Sequence, residues 1–447
     1  MKERSWKSNR VAVAILLTGV VLPVALLAGA GAPSLDGRVD AAVQRCAPEA
    51  IEIRHRVHQN PELGNRERKT ADLVAERLRA LGLQPRTGIA HTGVVAVLKG
   101  GKPGPSVAVR ADMDALPVTE DTSLPFKSTV RTTYLGQEVG VAHACGHDLH
   151  LAVQLGVASV LASLKDQVPG TVEFIFQPAE EGPPPGEEGG AQLMLKEGLW
   201  REAKPSAVFG LHVNAQSEVG QIKYTPGPAM AAADSFRIVV KGTPAHGARP
   251  ELAVDPIVVA SQAVMALQTI RSRNVRPLDP AVVTVGTIRG GQRQNIIPEE
   301  VEMRGTVRTF DGKVQDLIER RMREILEGVT RSAGATYVLE YERGYPVLVN
   351  DRALTNATLP SLARAVGEKN VLLDEPRTGA EDFSFFAGQT PGFFFFLGGV
   401  KPGTTSGDHH TPTFLVDDAA IPVGMRAMSY VLLDYLAREA GRKPAQR

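Results

Sequence analysis

Cysteine is nearly absent. The chain of 447 residues has two, Cys46 and Cys145, so a disulfide framework is excluded as its source of stability. Neither sign of charge is in excess. Fifty Lys and Arg against 49 Asp and Glu leave a net charge of +1, which argues against nucleic acid or an anionic membrane surface as partner. There is no run of like charges, no low-complexity tail and no internal repeat. What remains is ordinary globular composition, 43% hydrophobic and 22% charged, enough to bury a full core. Single cores rarely grow past roughly 250–300 residues, so two domains are expected.

One long uncharged run stands apart. Lys2, Arg4, Lys7 and Arg10 precede residues 11–28, which carry no charge, and small residues follow at 28–32. This is the layout of a secretory signal over residues 1–32. An uncleaved N-terminal membrane anchor is the alternative, since the run is nearly of spanning length. Pro23 and the Gly/Ala tail favour cleavage. The expectation is an exported protein, periplasmic or secreted, whose mature chain holds 46 basic and 48 acidic residues.

Beyond the signal the pattern alternates. Residues 36–82 read as helical, 94–99 and 107–113 as strands, 149–165 as a helix, and 171–176 and 207–213 as buried strands. Such alternation predicts an α/β sheet with helices on its faces. From residue 232 the order becomes strand 236–241, helix 255–273, strands 282–288 and 301–309, helix 313–332 and strand 337–342. That is the β-α-β-β-α-β order of a ferredoxin-like unit. Alternation then resumes with a helix at 354–366, an aromatic strand at 393–397 and a helix at 419–440. The reading is therefore a first catalytic segment at 36–231, an inserted domain at 232–346 and a second catalytic segment at 347–442, with a cleft between the two domains.

The densest chemical signal is His143-Ala-Cys145-Gly-His147-Asp148-Leu-His150, just before a helix. Thiolate and imidazole suit zinc and its first-row neighbours. A lone histidine at a helix start is usually a packing or capping residue; this cluster points to metal. Cys145 as a nucleophile activated by histidine is a second reading. After the strand at 171–176 comes Gln177-Pro-Ala-Glu180-Glu181-Gly182. Of two adjacent carboxylates, one can ligate a metal while the other takes a proton from water. His212 and the pair Asp112 and Asp114 also close strands. In open α/β sheets ligands bind outside the carboxyl ends of strands, so these signals converge on one sheet edge. His409 and His410 in a Gly/Thr/Pro-rich loop fit a distant ligand that folds back. In the inserted domain His246, Asn295 and Arg308 offer donors for an amide oxygen and a cation for a carboxylate.

Taken together these motifs resemble the amidohydrolase branch of the aminoacylase and carboxypeptidase metallopeptidases, which includes hippurate hydrolases and plant hydrolases of indole-acetyl-amino-acid conjugates. The matching stretches are RADMDALP at 110–117, HACGHDLH at 143–150, FQPAEEG at 176–182, GLHV at 210–213, GTPAHG at 242–247, NIIPEE at 295–300, GTVRTF at 305–310, GAEDFSFF at 379–386 and HHTPTF at 409–414. They cover nearly the whole mature chain.

The resemblance implies a two- or three-layered α/β metallopeptidase domain with an inserted ferredoxin-like (βαββαβ) lid and dimerisation domain. It implies two divalent ions, Zn or Mn foremost with Co or Ni as alternatives, held by Cys145, His147, Glu181, His212 and His410. Cys145 would bridge the ions. Glu180 would be the general base and acid, Asp114 would orient a ligand histidine, and His246, Asn295 and Arg308 would meet substrate. His246 would reach the site of a partner subunit, so a homodimer through the lid is expected.

The implied activity is hydrolysis of N-acyl amino acids, with cleavage of dipeptides or short peptides as the alternative. A cysteine hydrolase would be stopped by alkylation and not by chelators. A non-catalytic periplasmic binding protein would have no need of Glu180. The chain departs from the family's common pattern in substrate-facing loops: a Pro-rich segment at 182–188, Arg249 onward after His246, and Gln292-Arg293-Gln294 before Asn295.

Overall fold

The computed structural model describes residues 1–5, 8 and 34–442. The apolar run at 11–28, on which the expected signal rests, lies outside the described residues. Four parallel strands form the centre of an eight-stranded mixed sheet: Pro169–Gln177, Lys102–Asp112, Val208–Glu218 and Gly392–Val400, in that spatial order. Shorter strands extend both edges. Gly93–Lys99 and Arg86–Ile89 add antiparallel pairs on one side. Ile222–Tyr224 and Val371–Leu373 complete the other.

The central strands are apolar on both faces because both faces are covered. In Gly392–Val400 the side chains alternate between two cores. Phe393 and Phe395 pack under the helices Leu35–Gln59, His147–Ser163 and Ala420–Ala440. Phe394 and Phe396 pack on the other face with Phe383, Phe386 and Trp200. Two helical faces around one sheet make three layers, which resolves the two- or three-layer expectation in favour of three.

Residues 232 to 345 form a second, antiparallel sheet with its own core. Its spatial order is Ala281–Gly290, Glu300–Thr309, Ala232–Lys241, Thr336–Tyr345. The helices Pro256–Thr269 and Gly312–Ser332 cover one face, burying Val259, Leu267, Ile318, Met322 and Leu326 against Phe236, Ile238 and Met303. This is the ferredoxin-like β-α-β-β-α-β unit.

Several boundaries differ from the sequence reading. The helical stretch expected at 36–82 is two helices, Leu35–Gln59 and Arg68–Ala80. Pro61 and Gly64 interrupt the helical pattern between them. The strand expected at 107–113 begins at Lys102, although Pro103 and Pro105 remove two donors. The helix expected from residue 149 begins at His147, which places His147 and His150 in its first turn.

Candidate active site

The carboxyl ends of the central parallel strands carry the chemistry. Lys102–Asp112 ends in Asp112 and Pro169–Gln177 runs into Glu180 and Glu181, whereas His212, expected to close its strand, lies inside Val208–Glu218, which continues to Glu218. Gly146 caps the helix that carries His147 and His150. Its φ is 91° and an added Cβ would lie 2.3 Å from Val213 Cγ1. Both conditions require glycine. The loop bearing His409 and His410 is pinned to the cysteine motif, the His410 N–H donating to the Ala144 carbonyl at 2.8 Å.

Hydrogen bonds on one nitrogen of each ring fix which other nitrogen is available. His147 Nδ1 donates to the Asp114 carbonyl at 2.9 Å and lies 3.2 Å from Asp114 Oδ1, leaving the Nε2 lone pair free. His212 Nδ1 donates to the Val213 carbonyl at 2.7 Å, and its Nε2 lies 3.4 Å from Cys145 Sγ. His150 differs. Its Nε2 accepts from the Val213 N–H at 2.8 Å while Nδ1 donates to Asp112 at 2.6 Å, so both nitrogens are engaged. His409 accepts at Nε2 from the Ala215 N–H at 3.3 Å. Its Nδ1, 3.5 Å from Cys145 Sγ, is then the protonated nitrogen and a donor to the sulfur. His410 Nε2 lies 3.0 Å from Glu181 Oε1.

The five expected ligands are thus brought together. Cys145 stands with His212 on one side and with Glu181 and His410 on the other, and His147 joins through Glu181 at 3.8 Å. One atom of this set, His147 Nε2, is buried without a hydrogen bond, with Asp112 Oδ2, Glu180 Oε2 and Glu181 Oε1 each 3.8 Å away. Buried polar atoms rarely lack a partner, and this one has only carboxylate oxygens around its lone pair. Thiolate, imidazole and carboxylate donors suit first-row divalent cations. The residues therefore fit a pair of divalent metal ions.

The charge balance agrees. Asp112, Asp114, Glu180, Glu381 and Asp382 are all buried, and one guanidinium answers most of them. Arg110 lies 2.8 Å from each of Asp112, Glu381 and Asp382. Burial, then Glu381, Glu181 and Asp382, raise the Glu180 carboxyl well above the usual range. Burial, then Glu181, Glu180 and Asp112, raise the Cys145 thiol. Burial and the neighbouring His150 and His409 hold His212 neutral. An acidic, dehydrated pocket of this kind favours added cations.

A cavity of ≈ 1170 Å³ opens over the cluster. Cys145, Glu180, Glu181, His212 and His410 line it from the large sheet and its loops, and Arg308 and Tyr345 from the second sheet. His246 and Asn295 do not line it. They sit together on a small exposed ladder, where His246 pairs with Ile296. His246 Nδ1 accepts from the Ala248 N–H at 3.0 Å, which leaves Nε2 as the ring's donor.

Some site residues went unassigned in the sequence reading. Arg110, Glu381 and Asp382 lay inside quoted motifs without a role. Glu67 is buried and accepts from the Ala179 N–H at 2.8 Å and the Thr92 hydroxyl at 2.6 Å, fixing the turn before Glu180. Tyr345 donates its hydroxyl proton to the Glu180 carbonyl at 2.6 Å. Nothing local in the sequence marks Glu67 or Tyr345.

Comparison with known proteins agrees with this geometry. Residues 108–434 match the model of peptidase family M20/M25/M40. The chain is 40% identical over 387 residues to thermostable carboxypeptidase 2 of Saccharolobus solfataricus, covering 86% of this chain and 94% of that protein. It is 38% identical over 375 residues to the N-acetyl-L-cysteine deacetylase of Bacillus subtilis, covering 83% and 85%. Among solved structures, a dinuclear metal-binding peptidase of Bacillus subtilis superposes with a TM-score of 0.75 at 33% identity, covering 88% of this chain and 99% of that one.

Proposed function

The chain belongs to peptidase family M20/M25/M40, metal-dependent hydrolases of amide bonds, and on that premise we propose that it hydrolyses N-acyl amino acids outside the cytoplasm. The observation that carries this is the placement of Glu180 beside an unpartnered ligand atom, His147 Nε2, 3.8 Å from it, at a cavity that Arg308 also lines. Cys145, His147, Glu181, His212 and His410 would hold two divalent ions, Zn or Mn first and Co or Ni next. When bound, the ions supply Lewis acidity that polarises the scissile carbonyl and acidifies the attacking water.

Glu180 accepts the proton of that water and returns it to the leaving amine nitrogen. Asp114 keeps His147 oriented through Nδ1. Arg308, half-buried and bonded to the Thr306 hydroxyl, takes the substrate carboxylate. His246 acts from a partner subunit, where its Nε2–H donates to the carbonyl oxygen as negative charge develops, with Asn295 beside it. The lid comprises residues 232–346, and the homodimer forms through it. Two features support that assembly. Ala281–Gly290 is an edge strand whose outer side has no partner among the described residues, and Ile257, Val258 and Met265 are 42%, 52% and 72% exposed on a nearby helix. Export follows from the N-terminal sequence pattern.

A second reading, removal of the C-terminal residue from short peptides, is favoured by the 40% identity to a carboxypeptidase. One assay separates the two. Release of free amino acid is measured on N-acyl amino acids and on dipeptides, before chelation, after chelation and after Zn or Mn is restored. Metal-restored cleavage of N-acyl amino acids in preference to dipeptides is the expected result. The reverse preference selects the peptidase, and no metal-restored cleavage of either class overturns both.

A further inference from the structure

Two arginines, Arg308 and Arg377, line the cavity. Arg308 comes from the second sheet. Arg377 comes from the loop before the helix Phe383–Ala387, and nothing in the sequence marked it. Its backbone is fixed on both sides: the Arg377 N–H donates to the Ala229 carbonyl at 2.9 Å, and the Arg377 carbonyl accepts from the Ala231 N–H at 3.0 Å. Its side chain is fixed as well. Cζ lies 3.7 Å over the Phe396 ring, and Nη2 donates to Asp374 at 2.8 Å. Phe396 in turn neighbours His212, their ring centroids 6.2 Å apart. The cation therefore sits one aromatic ring from the ligand cluster.

An ordinary surface ion pair is weak and samples many geometries. Stacking on an aromatic face and a carboxylate partner hold this group in one orientation. Among the described residues, Nε and Nη1 have no acceptor, and the side chain is 29% exposed. A planar fork held in place with unused donors is suited to a carboxylate. Arg308 already serves one such group in the proposed reaction.

We propose that Arg377 receives a second carboxylate, so that the preferred substrates are N-acyl amino acids bearing two. This rests on the N-acyl amino acid reading and narrows it. The second carboxylate belongs either to the side chain of the released amino acid or to the acyl group, and matched substrates distinguish the two sources. One pair is N-acetylglutamate against its isosteric amide N-acetylglutamine. The other is N-succinyl-leucine against N-butyryl-leucine.

Steady-state kinetics are measured on metal-loaded wild type, Arg377→Gln, Arg377→Lys and a control, Arg331→Gln, which removes an exposed charge from a distant helix. Wild type is expected to favour the diacid in one pair by about 10-fold or more in kcat/KM, expressed in KM. Arg377→Gln abolishes that preference, Arg377→Lys recovers part of it, and Arg331→Gln keeps it. Wild type cleaving both monoacid members without favouring a diacid overturns this inference alone. So does Arg377→Gln lowering both members of each pair equally. No cleavage of any substrate overturns the N-acyl amino acid reading and this inference with it.

Discussion

Gly146 links backbone conformation to metal chemistry at a single residue. Its left-handed φ and the close approach of Val213 leave no room for a Cβ, and the flanking residues are Cys145 and His147. Gly146→Ala should cost about 1–3 kcal/mol from overpacking alone, with left-handed strain added. The expected outcome is a lower melting temperature together with weaker metal binding, read by thermal unfolding and metal titration. An unchanged melt would contradict the role given to this glycine.

His58 gives a pH signature at the same scale. Burial lowers its pKa, but Asp148 and Glu120 outweigh burial and raise it to about 9. That lies above the unfolded value of about 6.5, so the folded state holds the extra proton between the two values. The stabilisation is complete below about pH 6.5 and is lost as pH rises through 9. Denaturant unfolding of wild type and His58→Gln at pH 6 and pH 9 checks this. The gap between the two proteins should narrow at the higher pH.

The site was legible where its residues cluster along the chain. Cys145 and His147 share one short motif, and Glu180 and Glu181 are adjacent. Glu67, Tyr345 and Arg377 were not legible, because each acts through contacts distant in the sequence and carries no local pattern. His409 was set aside for His410 by resemblance. The structure adds a physical ground: the Ala215 N–H occupies His409 Nε2 and turns its other nitrogen into a donor.

At the scale of elements, the strand Thr336–Tyr345 closes the second sheet and ends on Tyr345, which bonds the carbonyl of Glu180. The strand end and the catalytic turn are thereby joined. Tyr345→Phe removes one hydrogen bond, typically about 0.5–1.5 kcal/mol. The expected effect is a several-fold fall in kcat with a smaller change in KM. A rise in KM alone would argue that Tyr345 serves substrate binding instead.

Long periodic elements were readable, such as Gly312–Ser332 with its apolar stripe and Gly392–Val400 with its run of phenylalanines. Arg86–Ile89, Ile222–Tyr224 and Val371–Leu373 were not, because strands of three or four residues are too short to display a period. Their pairing is set by the sheet they extend. Lys102–Asp112 started later in the sequence reading because Pro103 and Pro105 argue locally against a strand. Its register with Pro169–Gln177 shifts across that stretch, between Lys102 and Ser106.

At the scale of the whole molecule, the cavity contains Arg308 but not His246 or Asn295. If His246 acts on the partner's site, two inactive variants should complement each other. Glu180→Gln and His246→Ala, each nearly inactive alone, should regain activity when mixed under conditions of subunit exchange. One site of the mixed dimer then has both native groups. No recovery from a mixture that sedimentation shows to be dimeric would contradict the action of His246 on the partner's site.

The account rests most directly on two ions beside a carboxylate that moves the proton. The measurement is metal content and turnover of Glu180→Gln beside wild type. Both proteins should bind two divalent ions per chain, while Glu180→Gln loses about 100- to 10,000-fold in kcat, the range of a general base. A wild type that binds fewer than two ions, or a Glu180→Gln variant that turns over like wild type, would contradict the account.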